Sequence, residues 1–272
     1  MIQRSGWQLS GSAPEAYERY IVRPFIEDCT YHLVDVAALQ SEERVLDVAC
    51  GTGVVARLAA SRLGPAGYVV GLDTNPGMLA MARGMTLPKT VASVIWQKAD
   101  VIAMPFPDAD FHVLFCQQGL QFFADKSNAL AEMHRVLMPG GRLVLSVWRA
   151  LEHCPWQRAV ADALEHHVSK ATATSIRVPF ALGESEEINC LLKDEGFRDI
   201  QIGIANHTIR HVSLEEFVPG YLFATPVAST AADLDEIVLT AIVDEIRASL
   251  RSYIDDNELA IPISTHVAVA FK

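Results

Sequence analysis

The chain has 272 residues, of which 50% are hydrophobic and 20% are charged. This composition excludes intrinsic disorder and fibrous classes and provides enough apolar side chains for a sizeable core. Lys and Arg number 22 against 33 for Asp and Glu, so the formal net charge is −11. Because this charge repels phosphate backbones, we expect a small-molecule substrate and no nucleic acid as partner.

The cysteines and the apolar segments bear on compartment. Five cysteines lie far apart and form no C-x-x-C pair, which fits neither a disulfide framework nor a zinc site, and no metal site is expected. The amino end lacks the apolar core of a signal peptide, and no stretch has the apolar length of a membrane span. We therefore expect a cytoplasmic protein with no membrane span. The sequence leaves open whether the chain forms a homodimer.

The first half of the chain alternates helical and strand patterns. A helix is predicted from Pro14 to Leu39, and Pro24 should kink or split it. The predicted strands that follow are Arg44 to Ala49, Tyr68 to Leu72, Val94 to Gln97, Phe111 to Cys116 and Arg142 to Trp148. Between them lie candidate helices at Val54 to Leu63, Pro76 to Arg83 and Lys126 to Leu137. Strands that alternate with helices predict an α/β fold with a doubly wound, mostly parallel sheet.

The second half has a looser pattern. The predicted elements are helices at Pro155 to Val168 and Ser185 to Glu195, a strand near Asp199 to Ile204, helices at Leu214 to Tyr221 and Leu234 to Tyr253, and a final strand at Leu259 to Phe271. The helix from Leu234 carries one apolar stripe, formed by Leu234, Ile237, Val238, Ala241, Ile242, Ile246 and Leu250. We interpret the chain as a single domain with an N-terminal helical cap (1–43), a cofactor-binding core (44–149), the rest of the core (150–211), a helical lid insertion (212–256) and a last strand (257–272).

A glycine-rich turn follows the first strand. Gly51 and Gly53 allow a tight turn and a close ligand approach, and the helix that begins next offers unpaired N–H groups. The segment also satisfies the dinucleotide fingerprint G-x-G-x-x-A, with Asp73 at the spacing of a ribose-binding acid. The glycines alone therefore do not separate a nicotinamide cofactor from S-adenosylmethionine.

Acids at three successive strand ends favour S-adenosylmethionine. Asp47, just before the glycines, would repel a pyrophosphate but attract the ammonium and sulfonium groups of that cofactor. Asp73 ends the second strand, where a carboxylate can accept from both ribose hydroxyls, and Asp100 follows the third, where it would accept from an adenine amino group. The alternative for Asp47 is a cap on the following turn. The coincidence of three strand ends makes binding the better hypothesis.

Four ordered sequence blocks between residues 44 and 149 carry a family resemblance. They are LDVACGTG (46–53), GLD with NPGML (71–79), AD with MPFPD (99–108), and EMHRVLMPGGRL (132–143). In these blocks the chain resembles the class I S-adenosylmethionine-dependent methyltransferases, in particular the UbiE-like group, also called methyltransferase type 11. The resemblance implies a seven-stranded Rossmann-like fold. Two positions depart from the family pattern: His112 replaces an Asp, and Ala49 replaces a common glycine.

The same resemblance implies a set of cofactor-binding residues. They are Asp47, Cys50, Gly51 and Gly53 at the methionine end, Asp73, Thr74 and Met78 at the ribose and adenine, Ala99, Asp100 and Val101 at the adenine, and Cys116 and Gln117 below the sulfonium. Tyr17 and Tyr20 resemble aromatic positions that close over the methionine end in relatives, and packing residues are the alternative.

The acceptor side is less defined. The segment after the fourth strand has no Asn-Pro-Pro-Tyr signature, which argues against amide and nucleobase amino acceptors. We expect Gln118, Phe122, Trp148 and Tyr221 to bind the substrate. His153, on the loop after the fifth strand, is the best candidate for a catalytic base, with a surface histidine as the alternative.

The predicted function is O- or C-methylation of a small, largely apolar acceptor with S-adenosylmethionine as cofactor. Two alternatives remain at this point. One is an NAD(P)-dependent oxidoreductase, and the other is a protein that binds S-adenosylmethionine without transferring its methyl group.

Overall fold

The computed structural model describes residues 13–85, 87–88, 91–211, 213–255 and 258–272. Its strands are β1 (Arg44–Val48), β2 (Tyr68–Asp73), β3 (Ser93–Lys98), β4 (Phe111–Gln117), β5 (Leu137–Trp148), β6 (Arg198–His211), β7 (Ile254–Asp255) and β8 (Glu258–Phe271). They form one sheet in the order β3-β2-β1-β4-β5-β8-β6, and the two-residue β7 pairs with β8. The first five strands pair in parallel, and β8 runs antiparallel to β5 and β6. The predicted mostly parallel, doubly wound sheet is confirmed.

The helices fall between the strands as the alternation predicts. They are α1 (Ala13–Tyr17), α2 (Glu27–Ala37), α3 (Val54–Arg62), α4 (Pro76–Gly84), α5 (Lys126–Val136), α6 (Pro155–His167), α7 (Lys170–Arg177), α8 (Ser185–Asp194), α9 (Leu214–Phe223), α10 (Ala228–Ala232) and α11 (Glu236–Ser249). A π-helical segment (Glu18–Ile26) joins α1 to α2, and short 3₁₀ turns occupy Val101–Ala103, Leu120–Phe122, Leu151–His153, Val178–Phe180 and Arg251–Tyr253.

Neighbouring residues of β1 show why the sheet is covered on both faces. Val45 belongs to a buried cluster with α2 and α3, and Leu46, the next residue, belongs to a cluster with α5 and α8. Successive side chains of a strand point to opposite faces, so an unbroken apolar run needs helices on both sides. This packing fixes the carboxyl ends of the parallel strands at one edge, where loops carry the predicted cofactor residues.

The amino-terminal helix is interrupted around Pro24. That residue lies inside the π-helical segment, between α1 and α2. Proline has no N–H to donate and its ring crowds the preceding turn, so the regular α-helical ladder cannot pass through it. The predicted interruption at Pro24 is present, and the predicted helix is divided into three segments.

The insertion differs from its sequence pattern. The predicted helix from Leu234 begins later, because Asp235 caps α11 through a hydrogen bond from Val238 N to its side chain (2.8 Å). Ile242 and Ile246 are buried as expected, but Ile237 is 81% exposed, so its assignment to the buried stripe was wrong. It lies in the first turn of α11, which no other element covers at that position. The sequence also did not predict α7.

The lengths of the helices and the state of the cysteines bear on two predictions from the sequence. No helix among the described residues is long and apolar enough to cross a membrane. All five cysteines are free thiols, as expected from their number and spacing. The ends of the predicted cap and lid at residues 1–12, 212, 256 and 257 lie outside the described residues.

Candidate cofactor and acceptor sites

Hydrogen bonds tie the glycine turn after β1 to the end of β2. Asp47 lies opposite Gly71 in the parallel register. Cys50 N donates to Leu72 O (3.0 Å), and Gly51 N donates to Asp73 Oδ2 (2.8 Å). The glycine turn and the second strand-end acid therefore form one rigid edge.

The two glycines of this turn differ in their surroundings. Both have left-handed backbones, with φ of 55° at Gly51 and 83° at Gly53. A Cβ at Gly51 would meet no atom within 4 Å, whereas a Cβ at Gly53 would lie 2.2 Å from the Trp96 indole. A Cβ at Gly71 would lie 2.5 Å from the same indole. Gly51 therefore borders open space that a ligand can enter, and Gly53 and Gly71 make room for Trp96, which the sequence did not single out.

Asp47 is a buried acid that caps α3. Its side chain is 1% exposed, and its Oδ2 accepts from Ala56 N (3.0 Å). Burial raises the pKa of Asp47 to about 8, with the Asp73 charge adding to the rise and the Ala56 N–H and Arg57 opposing it. Asp47 therefore has the capping role that was the alternative interpretation of its sequence position. A neutral acid in such a place ionises when a cation binds next to it.

Asp73 holds the edge through both carboxylate oxygens. Its Oδ1 accepts from Asn75 N (2.8 Å), in addition to the bond from Gly51 to Oδ2. Burial raises the pKa of Asp73, against the lowering effect of these backbone N–H groups. Each carboxylate oxygen can accept more than one hydrogen bond, so the partly buried carboxylate keeps capacity for hydroxyl donors.

The third strand end lies beside the second. Ala99 N donates to Asp73 O (3.2 Å), and Asp100 Oδ1 accepts from Ile102 N (3.2 Å) at the start of a short 3₁₀ turn. Asp100 and Thr74 are exposed, and Val101 is buried. The polar groups at this end are open to solvent above an apolar floor.

Tyr17 and Met78 pack together next to Asp73. Met78 is buried, and Tyr17 is the apolar side chain packed against it. Burial and the nearby Asp73 charge raise the pKa of Tyr17, so its phenol stays protonated. The structure thus places Tyr17 beside Asp73, at the carboxyl end of β2.

Tyr20, in contrast, faces α9. Its ring lies 6.0 Å from the Phe217 ring, and a Cβ at Gly220 would lie 2.2 Å from it. Tyr20 therefore joins the cap to α9.

The buried residues after β1 and at the end of β4 have structural partners. Burial raises the pKa of the Cys116 thiol to about 12 and that of the Cys50 thiol well above its usual value, so both stay neutral. Gln117 Oε1 accepts from Thr30 Oγ1 (2.7 Å), which links β4 to α2. Because these side chains are neutral or already hydrogen-bonded, a ligand at this place would contact only the backbone and the surface that these residues form.

A further cluster of polar side chains at the glycine turn comes from residues that are distant in sequence. Arg57 of α3 donates to Thr52 O and lies 3.6 Å from Glu18 Oε1 in the cap. Thr52 Oγ1 is buried and has no hydrogen-bond partner. With Asp47, these groups suit a ligand end that carries both an ammonium and a carboxylate. Glu18 and Arg57 were not predicted from the sequence, because they belong to different elements.

A cavity that is partly open to solvent adjoins this edge. The four residues predicted to bind the substrate, Gln118, Phe122, Trp148 and Tyr221, all lie on its wall. Tyr17 lies on the same wall and so borders both the cofactor edge and the cavity. None of the described residues that line the cavity has a charged side chain.

Two glutamines contribute polar atoms to the cavity wall. Gln118 has a left-handed backbone (φ 52°), and its amide is held by Gln121 Nε2 (3.0 Å) and Ser146 Oγ (3.4 Å). Gln157, on α6, is 4% exposed, and its Oε1 has no hydrogen-bond partner. The sequence did not predict Gln157, because a single polar residue on an otherwise apolar helix face does not indicate its surroundings.

His153 lies on the loop after β5. It ends the 3₁₀ turn after β5, and its Nε2 is 2.9 Å from the Arg149 guanidinium. Since a guanidinium only donates, this contact uses the lone pair of Nε2. His153 is not among the described residues that line the cavity. Its role as a base stays a prediction.

A known protein family matches the part of the chain that contains the four sequence blocks. Residues 46–145 match the methyltransferase domain family. The match spans less than half of the chain, which is similar to that family over these residues. The match covers the glycine turn, the three strand-end acids and the block before β5, so the class I methyltransferase resemblance is confirmed.

Curated methyltransferases match part of the chain. The demethylmenaquinone methyltransferase of Thermus thermophilus is 43% identical over 112 residues, which are 41% of this chain and 50% of that protein. The ubiquinone/menaquinone biosynthesis C-methyltransferase UbiE of Ectopseudomonas mendocina is 42% identical over 113 residues, 41% of this chain and 44% of that protein. The chain thus matches half or less of the length of these relatives.

A solved structure extends the likeness to the whole fold. The YcgJ protein from Bacillus subtilis superposes with a TM-score of 0.60 over 90% of this chain and 98% of its own, at 18% identity. At that identity the likeness concerns the fold alone, including the segments outside residues 46–145.

Proposed function

We propose that the protein transfers a methyl group from S-adenosylmethionine to a small, largely apolar acceptor, at oxygen or carbon. The observation that carries this proposal is the position of Tyr17, which borders both the strand-end acids and the uncharged cavity. Two sites that share a wall can hold a donor and an acceptor in contact.

The residues of the cofactor edge fit S-adenosylmethionine. Asp73 would accept from the ribose hydroxyls, Asp47 and Arg57 would take the two charges of the methionine end, and Gly51 would leave room for close approach. Val101 and Met78 supply apolar surface for the adenine, and Asp100 a hydrogen-bond acceptor. When bound, the cofactor supplies an electrophilic methyl carbon.

The chain contributes positioning and exclusion of water. Methyl transfer from a sulfonium is a displacement in line, so holding the acceptor atom at the correct place provides much of the rate. The walls formed by Phe122, Trp148 and Tyr221 are apolar and favour an apolar acceptor. The name of one relative, a C-methyltransferase of ubiquinone and menaquinone biosynthesis, supports carbon as the accepting atom.

A base is required only for an acceptor that must lose a proton. We keep His153 for that role, and its test is the pH profile of the rate for His153→Gln. A profile identical to that of the wild type removes His153 from the reaction.

The proposal is tested by calorimetric titration with S-adenosylhomocysteine and with NADP. We expect binding of the first and none of the second. Asp73→Ala removes acceptors for two hydroxyls, so the affinity for S-adenosylhomocysteine should fall tenfold or more, at about 1 kcal/mol or more per bond. Asp194→Ala, at an exposed acid on α8, is the matched control.

Two outcomes would contradict the proposal. Binding of NADP in place of S-adenosylhomocysteine would favour an oxidoreductase. Binding of S-adenosylhomocysteine without label transfer from methyl-labelled S-adenosylmethionine to any neutral aromatic alcohol in a panel would favour a protein that only binds the cofactor.

A further inference from the structure

One wall of the cavity is a short segment, residues 178–183, that is tied to the sheet at its end. A 3₁₀ turn, Val178–Phe180, brings Phe180 to the cavity, and this side chain is buried. Three residues later, Gly183 O accepts a hydrogen bond from Nε2 of His266 on β8 (2.8 Å). The wall segment is therefore anchored close to the ring that lines the cavity.

Gly183 also packs against the loop that follows β5. A Cβ at this position would lie 2.5 Å from Ala150 N and 2.7 Å from Ala150 Cα. Backbone atoms in a packed interior cannot move aside as the end of a flexible side chain can, so only glycine fits here. Ala150 comes two residues after Trp148, the last residue of β5. The close contact and the hydrogen bond from His266 together hold Gly183 next to the strand end that carries Trp148.

The position of Gly183 sets the position of Phe180. The rings of Phe180 and Trp148, which both line the cavity, are 6.3 Å apart at an interplanar angle of 26°. Two residues separate Phe180 from Gly183, and one of them, Leu182, is itself buried. A displaced Gly183 would therefore displace the Phe180 ring and change the shape of the cavity.

His266 is suited to this role because it is buried and neutral. It is 5% exposed, and burial lowers its pKa. The positive charges of Arg149 and His153, on the loop after β5, lower this pKa further, whereas the hydrogen bond to Gly183 and the charge of Glu184 oppose the shift. Since a carbonyl oxygen only accepts, the neutral ring carries its proton on Nε2. The donor to Gly183 O is therefore present at pH 7.

We propose that His266 is a positioning residue for acceptor binding, which holds the wall segment in place through its hydrogen bond to Gly183 O. This inference rests on the proposed function, since it assigns the cavity to the acceptor. His266 is not among the described residues that line the cavity, so it acts through Phe180 and not by contact with an acceptor.

Two substitutions separate the hydrogen bond of His266 from its volume. His266→Leu removes the donor, whereas His266→Gln keeps one, because a glutamine amide can donate to Gly183 O. In His266→Leu the amides of residues 180–184 should exchange hydrogen about fivefold to tenfold faster than in the wild type, the effect of one neutral hydrogen bond. The neutral aromatic probe 2-naphthol should bind more weakly by about the same factor in equilibrium dialysis. His266→Gln should restore both values towards those of the wild type.

His207→Leu is the matched control. His207 lies on β6, the strand next to β8, and its ring is 6.4 Å from that of His32 on α2. Because His266 pairs with Ile204, three residues before His207, the two imidazoles point to opposite faces of the sheet. This control should leave both the exchange of residues 180–184 and the affinity for 2-naphthol unchanged.

Several outcomes would overturn the inference. Unchanged exchange of residues 180–184 in His266→Leu would mean that the hydrogen bond does not hold the wall segment. Equal losses in His266→Leu and His266→Gln, or faster exchange throughout the strand Arg142 to Trp148, would assign His266 to core packing alone. An unchanged affinity for 2-naphthol in His266→Leu, or no binding of this probe by the wild type, would separate the wall segment from ligand binding.

Titration of S-adenosylhomocysteine into the same variants distinguishes this inference from the proposed function. All variants should keep the wild-type affinity, because His266 contacts the wall segment and not the strand-end acids. If the wild type does not bind S-adenosylhomocysteine, the proposed function fails, while the exchange of residues 180–184 still reports on His266. If it binds, and His266→Leu weakens it as much as 2-naphthol, the inference alone fails.

Discussion

At the residue scale, the candidate site contains several buried polar groups. Asp47, Thr52 and Gln157 are all nearly inaccessible, and each lies beside the glycine turn or on the cavity wall. Other buried polar groups differ among themselves: Thr30 is hydrogen-bonded to Gln117, whereas Thr265 Oγ1 has no partner among the described residues. Burial without full compensation lowers stability, so these positions are expected to trade stability for binding.

The effect of the buried Asp47 on the stability of the fold depends on pH. Its pKa in the folded chain is about 8, against a usual value of 3.8. The folded state therefore holds a proton that the unfolded state has lost between these values. The contribution of the protonated group to stability is complete below about pH 4 and is lost as the pH rises towards 8, by up to about 1.4 kcal/mol per pH unit.

We predict that Asp47→Asn removes this dependence. The asparagine can still accept from Ala56 N but does not titrate. The free energy of unfolding of the wild type minus that of the variant should decrease steadily from pH 5 to pH 8, measured by urea denaturation. Taking the difference cancels groups with lowered pKa, such as Glu43 and Glu132, whose contributions are lost at acid pH. A difference that stays constant would mean that Asp47 is ionised in the folded chain throughout.

At the element scale, the glycine turn combines two separate requirements. Gly51 is adjacent to open space, and Gly53 is in close contact with Trp96. Ala49, two residues before Gly51, already has a left-handed backbone with φ of 56°. The turn therefore tolerates a Cβ in this conformation, at a strain of about 1 kcal/mol. This also explains why a glycine is common at position 49 in the family that the sequence resembles.

The two requirements predict different outcomes for two alanine substitutions. Gly51→Ala should lower the free energy of unfolding by about 1 kcal/mol and the affinity for S-adenosylhomocysteine at least tenfold, because its Cβ projects into ligand space. Gly53→Ala should lower the free energy of unfolding by about 2 kcal/mol or more, because strain is added to overlap with the indole. Denaturant unfolding and calorimetry measure both.

The control for the second substitution is Trp96→Leu. In that background Gly53→Ala should cost less, since the overlap is gone. An equal cost in both backgrounds would remove Trp96 from the explanation.

The contact between Tyr20 and Gly220 gives a third prediction, in which the sign of an effect reverses. Alanine is a better helix former than glycine by about 1 kcal/mol, so Gly220→Ala should stabilise α9 where space allows. With Tyr20 present, the new Cβ would lie 2.2 Å from the ring and the substitution should destabilise instead. In a Tyr20→Ala background it should stabilise. Thermal unfolding of the four chains checks this, and the same sign in both backgrounds would show that the ring moves aside without cost.

These elements also show what a sequence can predict. The strands of the core were located to within a few residues, because buried parallel strands are short apolar runs between glycines and acids. The predicted strand near Asp199 extends to His211, since its length depends on pairing with the distant β8. Ile237 had the right spacing for burial, but whether a first turn is covered depends on tertiary contacts.

Tyr17 and Tyr20 illustrate the same limit within the site. The resemblance gave them one role, but the structure places Tyr17 at Met78 and Tyr20 at Gly220. The π-helical segment that begins at Glu18 has a wider turn than an α-helix, so the two rings point in different directions. Gln157 gave no signal at all, because its surroundings come from the cap, β5 and α9.

At the scale of the whole molecule, the cavity is closed by segments that are not part of the sheet. One wall comes from the cap, through Tyr17, Ile21 and Phe25, and another from α9, through Tyr221. Phe25 also lies 5.9 Å from Phe217 and 5.7 Å from Tyr221, ring to ring. The cap and α9 therefore share an aromatic cluster, and a movement of one that opens the cavity is expected to involve the other.

We predict that both segments become more ordered together when the two sites are filled. Hydrogen exchange should slow in residues 13–37 and 214–223 when S-adenosylhomocysteine and 2-naphthol are both present, and less with either alone, because each ligand contacts only part of the shared wall. The strand from Arg142 to Trp148 is the internal control: it is paired on both sides, with β4 and β8, and should exchange slowly in every state. Added protection confined to the glycine turn would contradict the prediction that the cap and α9 become ordered over the bound ligands. In that case α9 would be a static surface. Protection of the cap without α9 would contradict the coupling of these two segments through their aromatic side chains. The Tyr20→Ala variant lacks the ring contact between Tyr20 and Phe217, so in this variant the cap should gain protection without α9.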